Sequence, residues 1–147
     1  MADRIEKTVE LNAPVDRVWR ALTDHREFGE WFRVRLDQPF APGAESTGQM
    51  TYPGFEHMPW KAEILAMDEP RLFSFRWPQM DEQQNVREDW RWILVEFRLE
   101  PTDAGTRLTV TESGFDALPP ERRDEAYRSN EGGWEEQMRN IKAHVER

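Results

Sequence analysis

Glu112 is the residue whose type and position could do chemistry. It lies in the run 106–115, where Leu108, Val110 and Glu112 share one parity. A carboxylate on the inward face of an apolar strand is desolvated. That raises its pKa and suits it to acid–base work or to anchoring a polar group of a ligand. The other outcomes at this position are pairing by an Arg or a backbone donor, or a bulge that turns the side chain outward. The remaining reactive residues form no constellation. His25, His57 and His144 are too dispersed for a zinc motif. Ser46, Ser74, Ser113 and Ser129 lack the G-x-S-x-G elbow. The eight glycines make no phosphate loop. No cysteine is present, which excludes disulfides and thiolate chemistry. Neither a metal nor a cofactor is expected. The acid pairs Asp81-Glu82, Glu88-Asp89 and Glu135-Glu136 read as solvated faces.

The aromatic residues are the second candidate set. Trp31, Phe32, Tyr52, Phe55, Trp60, Phe75, Trp77, Phe115 and Trp134 lie on segments that should converge between a sheet and a helix. Two readings stand. The rings fill a core to crystalline density, or some of them line a pocket, since ring-lined clefts with a few polar groups are typical ligand sites. The pocket reading selects Trp31, Tyr52, Phe55, Met58, Trp60, Phe75, Trp77, Trp134 and Met138 as walls. His57 supplies a polar end and Glu112 a polar anchor. Trp90 and Trp92 have the parity opposite to Ile93, Val95 and Phe97, so they should face outward beside Arg76. An exposed Trp pair would be a contact patch for a homodimer or another partner.

The elements that must position these groups follow from periodicity. Residues 4–11 alternate as a half-buried strand, with Lys7 the exception. Asn12 is a plausible cap for a short helix to about Thr23, with Val15, Val18, Trp19 and Leu22 at helical spacing. A further helical turn spans 24–30. Residues 33–48 look irregular, with Pro39, Pro42, Gly43 and Gly48. Strands are expected at 59–68, 72–77, 91–100 and 106–115, and a long hairpin loop at 78–89. Pro119-Pro120 opens a C-terminal helix whose stripe is Trp134, Met138, Ile141 and Val145. Gly132-Gly133 within it implies a kink or a close backbone approach. Short connections between the later strands favour antiparallel pairing, and the helix is the available cover for one face. The expectation is one α+β domain over 1–147.

Composition narrows the function classes. The 147 residues carry a formal net charge of −9. That disfavours a nucleic-acid backbone and an anionic lipid surface as partners. The start MADRIEKTVEL has no basic segment followed by an apolar one, and no apolar run approaches a membrane span. A cytoplasmic protein is expected. Aromatic residues make up 12% of the chain, and seven are Trp, so its apolar surface is concentrated in large rings.

Five stretches carry a family resemblance: LNAPVDRVWRALTDHREFGEWF (11–32), AEILAMDEPRLFSFRW (62–77), LEP (99–101), GTRLTVTESGF (105–115) and GGWEEQMRNIKAHVE (132–146). They resemble the START-like, helix-grip (SRPBCC) superfamily. Within it they look most like the branch related to activators of heat-shock-protein-90 ATPase. The segment 49–60 departs from the pattern. The resemblance implies a helix-grip fold: a curved antiparallel sheet of about six strands wrapped around a long C-terminal helix, with short helices after strand 1 and a cavity between. It implies a binder of a small apolar or aromatic ligand. The branch also implies a chaperone contact. The polyketide cyclases of the superfamily permit an enzyme with Glu112, His57 or Tyr52 in acid–base roles.

Overall fold

The computed structural model describes residues 4–80, 86–87 and 92–147. Trp90 lies outside the described residues. Strand β1 (Arg4–Leu11) buries Ile5 and Leu11, and Lys7 on the same parity reaches Glu131 at 4.0 Å. Helix α1 (Val15–Thr23) buries Val18, Trp19, Ala21 and Leu22. Asn12 does not cap it. The cap position is Pro14, which has no side-chain acceptor, and the Asn12 backbone N–H donates to Glu146 at 2.8 Å. Helix α2 (His25–Phe32) is capped by Asp24, whose Oδ1 accepts from the N–H groups of Arg26 and Glu27. The chain then turns at once into a strand. A Cβ on Gly29 would collide with the Val34 carbonyl, so this reversal requires glycine.

That strand corrects the irregular reading of 33–48. β2 (Val34–Leu36) pairs antiparallel with β3 (Glu45–Met50), with Val34 opposite Met50. β4 (Pro59–Asp68) and β5 (Leu72–Trp77) follow, and a bulge in β4 leaves Leu65 exposed. The 78–89 connection contains β6 (Gln79–Met80) and β7 (Val86–Arg87), paired as a small separate ribbon. β8 (Ile93–Thr102) and β9 (Gly105–Ser113) complete the main sheet. A 3₁₀ turn at Phe115–Ala117 leads to helix α3 (Pro120–Val145). The main sheet has seven antiparallel strands in the order β1-β9-β8-β5-β4-β3-β2, where about six were expected. β2 and β3 are the two strands that lie outside the five ranges periodicity gave.

The inner face of the sheet packs on α3. Ile93, Val95, Phe97 and Leu99 of β8 and Leu108 and Val110 of β9 are buried on that face, and Phe97 meets Trp134 of α3 at 5.7 Å. Trp134, Met138, Ile141 and Val145 are the buried stripe of α3, in the expected phase. Four such side chains stabilise the helix by roughly 1.5–3 kcal/mol each. The helix runs unbroken through Gly132-Gly133. A Cβ at either would meet nothing within 4 Å, so the pair marks neither a close approach nor a break.

Candidate functional site

Register places Glu112 on the buried face of β9, near the end of that strand. It stands between Ile5 on β1 and Val95 on β8 and is fully buried. No bulge turns it outward, and no arginine among the described residues bonds it. Its partners come from β5 and α3. The Trp77 indole N–H donates to Oε2 at 2.7 Å, and the Trp134 indole N–H donates to Oε1 at 2.8 Å. The Asn130 amide donates to both oxygens, at 3.1 and 3.2 Å. Asn130 and Trp134 are four residues apart on α3, which puts them on one face. Burial pushes the Glu112 pKa up to about 7, against the lowering effect of hydrogen bonds from Trp134, Trp77 and Asn130. All four contacts come from N–H groups and suit the ionised carboxylate. A neutral carboxyl needs an acceptor, and the Asn130 amide, turned over, can supply one.

The donors to Glu112 are also wall residues of a cavity of about 330 Å³. The cavity opens at one end of the interface between sheet and helix. Met50 ends β3, Pro59–Lys61 begin β4, and Trp77 ends β5 with Pro78 after it, so antiparallel pairing places all three at the same end of the sheet. α3 closes the other side with residues between Ser129 and Gln137. Rings make the floor. Phe32 lies 5.4 Å from Trp60, 6.5 Å from Trp77 and 6.1 Å from Trp134, centroid to centroid. Trp77 stacks on Trp134 at 5.8 Å and 27°. Gln137 ties α3 to the end of α2 by donating to the Phe32 carbonyl at 3.0 Å.

Residues 51–58 form the mouth. Gln49 donates to the Met58 carbonyl at 2.8 Å, and Met50 and Phe55 make further backbone bonds that fold the segment on itself. The Tyr52 hydroxyl bonds Glu136 of α3, which raises the Tyr52 pKa above its ordinary value. Phe55 packs its ring on Tyr52 at 5.8 Å and remains 49% exposed.

Of the residues expected at the site, Tyr52, Phe55, Met58, Trp60, Trp77 and Trp134 line this cavity. Glu112 stands one hydrogen bond behind the wall. Four others do not line it. Trp31 is buried with its indole N–H donated to the Ala21 carbonyl at 2.8 Å. Phe75 is buried behind Trp60 and Trp77, and Met138 lies one turn deeper along α3 than Trp134. His57 is exposed. Sequence reasoning did not select Phe32, Met50, Asn130, Gly133 or Gln137 as wall residues. The spacing of Asn130 and Gly133 from Trp134 was the available signal. Trp92 is half-buried, with the Arg76 guanidinium 5.1 Å above its ring, so it is not a bare apolar patch. Among the described residues no group of three His, Asp or Glu could hold a metal ion, and no helix is long and apolar enough to cross a membrane.

A sheet gripping a long C-terminal helix, with a cavity at one end of their interface, defines a START-like helix-grip protein. The chain belongs to the family described as activator of Hsp90 ATPase homolog 1-like protein, whose model matches residues 12–146. Solved structures agree in fold. Protein MLL2253 from Mesorhizobium loti is 24% identical with a TM-score of 0.77, over 97% of this chain and 96% of that one. Protein Ms6760 from Mycobacterium smegmatis is 25% identical with a TM-score of 0.75, over 96% and 89%. Protein NE0264 from Nitrosomonas europaea is 20% identical with a TM-score of 0.74, over 97% and 93%. No curated protein matches the chain.

Proposed function

We propose that this protein binds a small hydrophobic ligand in the cavity between α3 and the β3–β5 edge. The observation that carries this reading is the cavity itself: about 330 Å³, walled by Phe32, Met50, Met58, Trp60, Trp77 and Trp134. A close-packed interior would fill such a volume. A ring-lined space with a few polar groups is the common form of a small-molecule site. Glu112 is a positioning residue in this reading, since it fixes the two indoles and Asn130 from behind. Its hydrogen-bond partners among the described residues are indole and amide N–H donors, which suits a role in holding the wall for a ligand.

Trp60, Trp77 and Trp134 line the cavity, so occupancy should change intrinsic fluorescence. Titration with a library of small apolar and aryl compounds tests the reading. Saturable changes that compete with one another are expected. A flat response across the library overturns it.

A further inference from the structure

Glu112 is a buried anion site without a counter-charge. Every element packed on it presents a neutral group: Ile5 from β1, Val95 from β8, Trp77 from β5, and Asn130 and Trp134 from α3. The charged residue on the same face of β1 is Lys7, which reaches Glu131 of α3. At the cavity rim Lys61 of β4 and Glu136 of α3 oppose each other in sign, and Tyr52 bonds Glu136. Among the described residues no Lys, Arg or His bonds the Glu112 carboxylate. An ionised group in this position projects a negative potential that surrounding protein screens far less than water does.

The potential falls on a cavity walled by ring faces. Aromatic faces attract cations, and Trp does so best. Donation of both indole N–H groups to a carboxylate polarises Trp77 and Trp134 in the direction that strengthens this attraction. An anionic occupant meets the opposite: repulsion from Glu112 and from the ring faces.

We propose that the occupant is an organic cation with an apolar body, an amine or quaternary ammonium on a hydrocarbon or aryl frame, for which Glu112 is the counter-charge one hydrogen bond behind the wall. This rests on the reading that the cavity binds a ligand, and it names the ligand's class. Binding of a cation favours the ionised form of Glu112. Because burial holds that group near 7, cation binding then releases a proton at acid pH and strengthens as pH rises.

The test uses two probes of one shape, phenyltrimethylammonium and tert-butylbenzene, which differ in charge alone. Affinities are measured by calorimetry and Trp fluorescence on the full chain, at about pH 5 and about pH 9, on either side of the Glu112 transition. The cation should bind about tenfold more tightly at the higher pH, equivalent to lowering the Glu112 pKa by one unit. Tert-butylbenzene should not gain affinity over the same range. In Glu112→Gln the pH dependence of cation binding should vanish. The wild-type pH series decides the matter if that variant does not fold. Cation affinity that is flat with pH, or that keeps its pH dependence in Glu112→Gln, overturns the inference. So does binding of tert-butylbenzene alone, which leaves the proposed function standing. Binding of neither probe at either pH overturns the inference too, and the fluorescence library then decides the proposed function separately.

Discussion

The Trp134 indole N–H meets Glu112 Oε1 at 2.8 Å, joining the long helix to strand β9 of the sheet through a buried carboxylate. The same indole stacks on Trp77, which donates to the other oxygen. One acidic side chain therefore sets the orientation of two facing rings. A carboxylate among apolar strands is costly in isolation. Here its acceptors are filled by groups that would otherwise be unpaired donors in the core. The indoles need an acceptor as much as the carboxylate needs donors, and this mutual need fixes the wall geometry.

Protonation of Glu112 should be visible in stability. Its folded-state pKa is raised from an ordinary 4.5 to about 7. Between those values the native state holds a proton that the unfolded chain has lost. The stabilisation it brings is complete below pH 4.5, falls as pH rises, and is gone above about 7. The change amounts to roughly 3 kcal/mol if the full shift is realised. Urea denaturation of wild type and Glu112→Gln at stepped pH measures it as a difference. A wild-type-minus-variant difference that does not fall across this window would refute the assignment.

Trp134→Phe keeps a ring at the wall and deletes one donor. The hydrogen bond from Trp134 lowers the Glu112 pKa, so its loss should push that pKa higher still. It should also cost about 1–2 kcal/mol, since a buried oxygen loses a partner. The carboxyl stretching band, followed by infrared difference spectroscopy against pH, reads the midpoint directly. A midpoint unchanged or lowered would refute the role of the Trp134 bond in setting this pKa.

Much of the fold was legible because most of its strands alternate, with exceptions at Lys7 of β1 and the bulge of β4. β1, β4 and β5 fall on the ranges that periodicity gives, and the α3 stripe has its expected phase. β2 and β3 were not legible. Apart from buried Val34 their residues are mostly polar or half-buried and the strands lie at one side of the sheet, so no local pattern marks them. Parity put Glu112 inward. It could not say how far along the interface the packing opens. Phe75 and Trp77 share a face, yet the first is filled core and the second is cavity wall. Trp134 and Met138 differ in the same way on α3. Depth along an element is a tertiary property, and the sequence pattern carries only its phase.

Gly132 and Gly133 separate helix energetics from cavity shape. Both lie inside α3 with nothing within 4 Å of an added Cβ, but only Gly133 lines the cavity. Gly132→Ala and Gly133→Ala should each stabilise by about 0.5–1 kcal/mol through helix propensity. Gly133→Leu should keep most of that gain while its side chain takes up cavity volume, so ligand binding weakens at least about tenfold, as expected when a side chain displaces part of a bound molecule. Gly132→Ala should bind as wild type does. Equal binding by Gly133→Leu and Gly132→Ala would place the ligand elsewhere.

The helices carry a second pH response at the far side from the cavity. Glu27 of α2 accepts from Arg17 at 2.6 Å and Arg20 at 2.8 Å, both on α1, and meets His144 of α3 at 2.9 Å. Burial would raise its pKa, but bonds from His144, Arg17 and Arg20 outweigh that and hold it at about 2. A lowered folded-state pKa gives stability that is present above the ordinary 4.5 and is lost as pH falls towards 2. The Glu27 side chain is still 22% exposed. Solvent screening therefore reduces its worth to about 1 kcal/mol. Glu27→Gln should lose that amount at neutral pH and converge with wild type near pH 2. The acid response thus runs opposite to that of Glu112, whose protonation stabilises. Chemical denaturation of the two single variants and the double variant separates them, because their sites share no partner and their effects should add. A Glu27→Gln deficit that persists unchanged into strong acid would show that the cluster stabilises by packing rather than by charge.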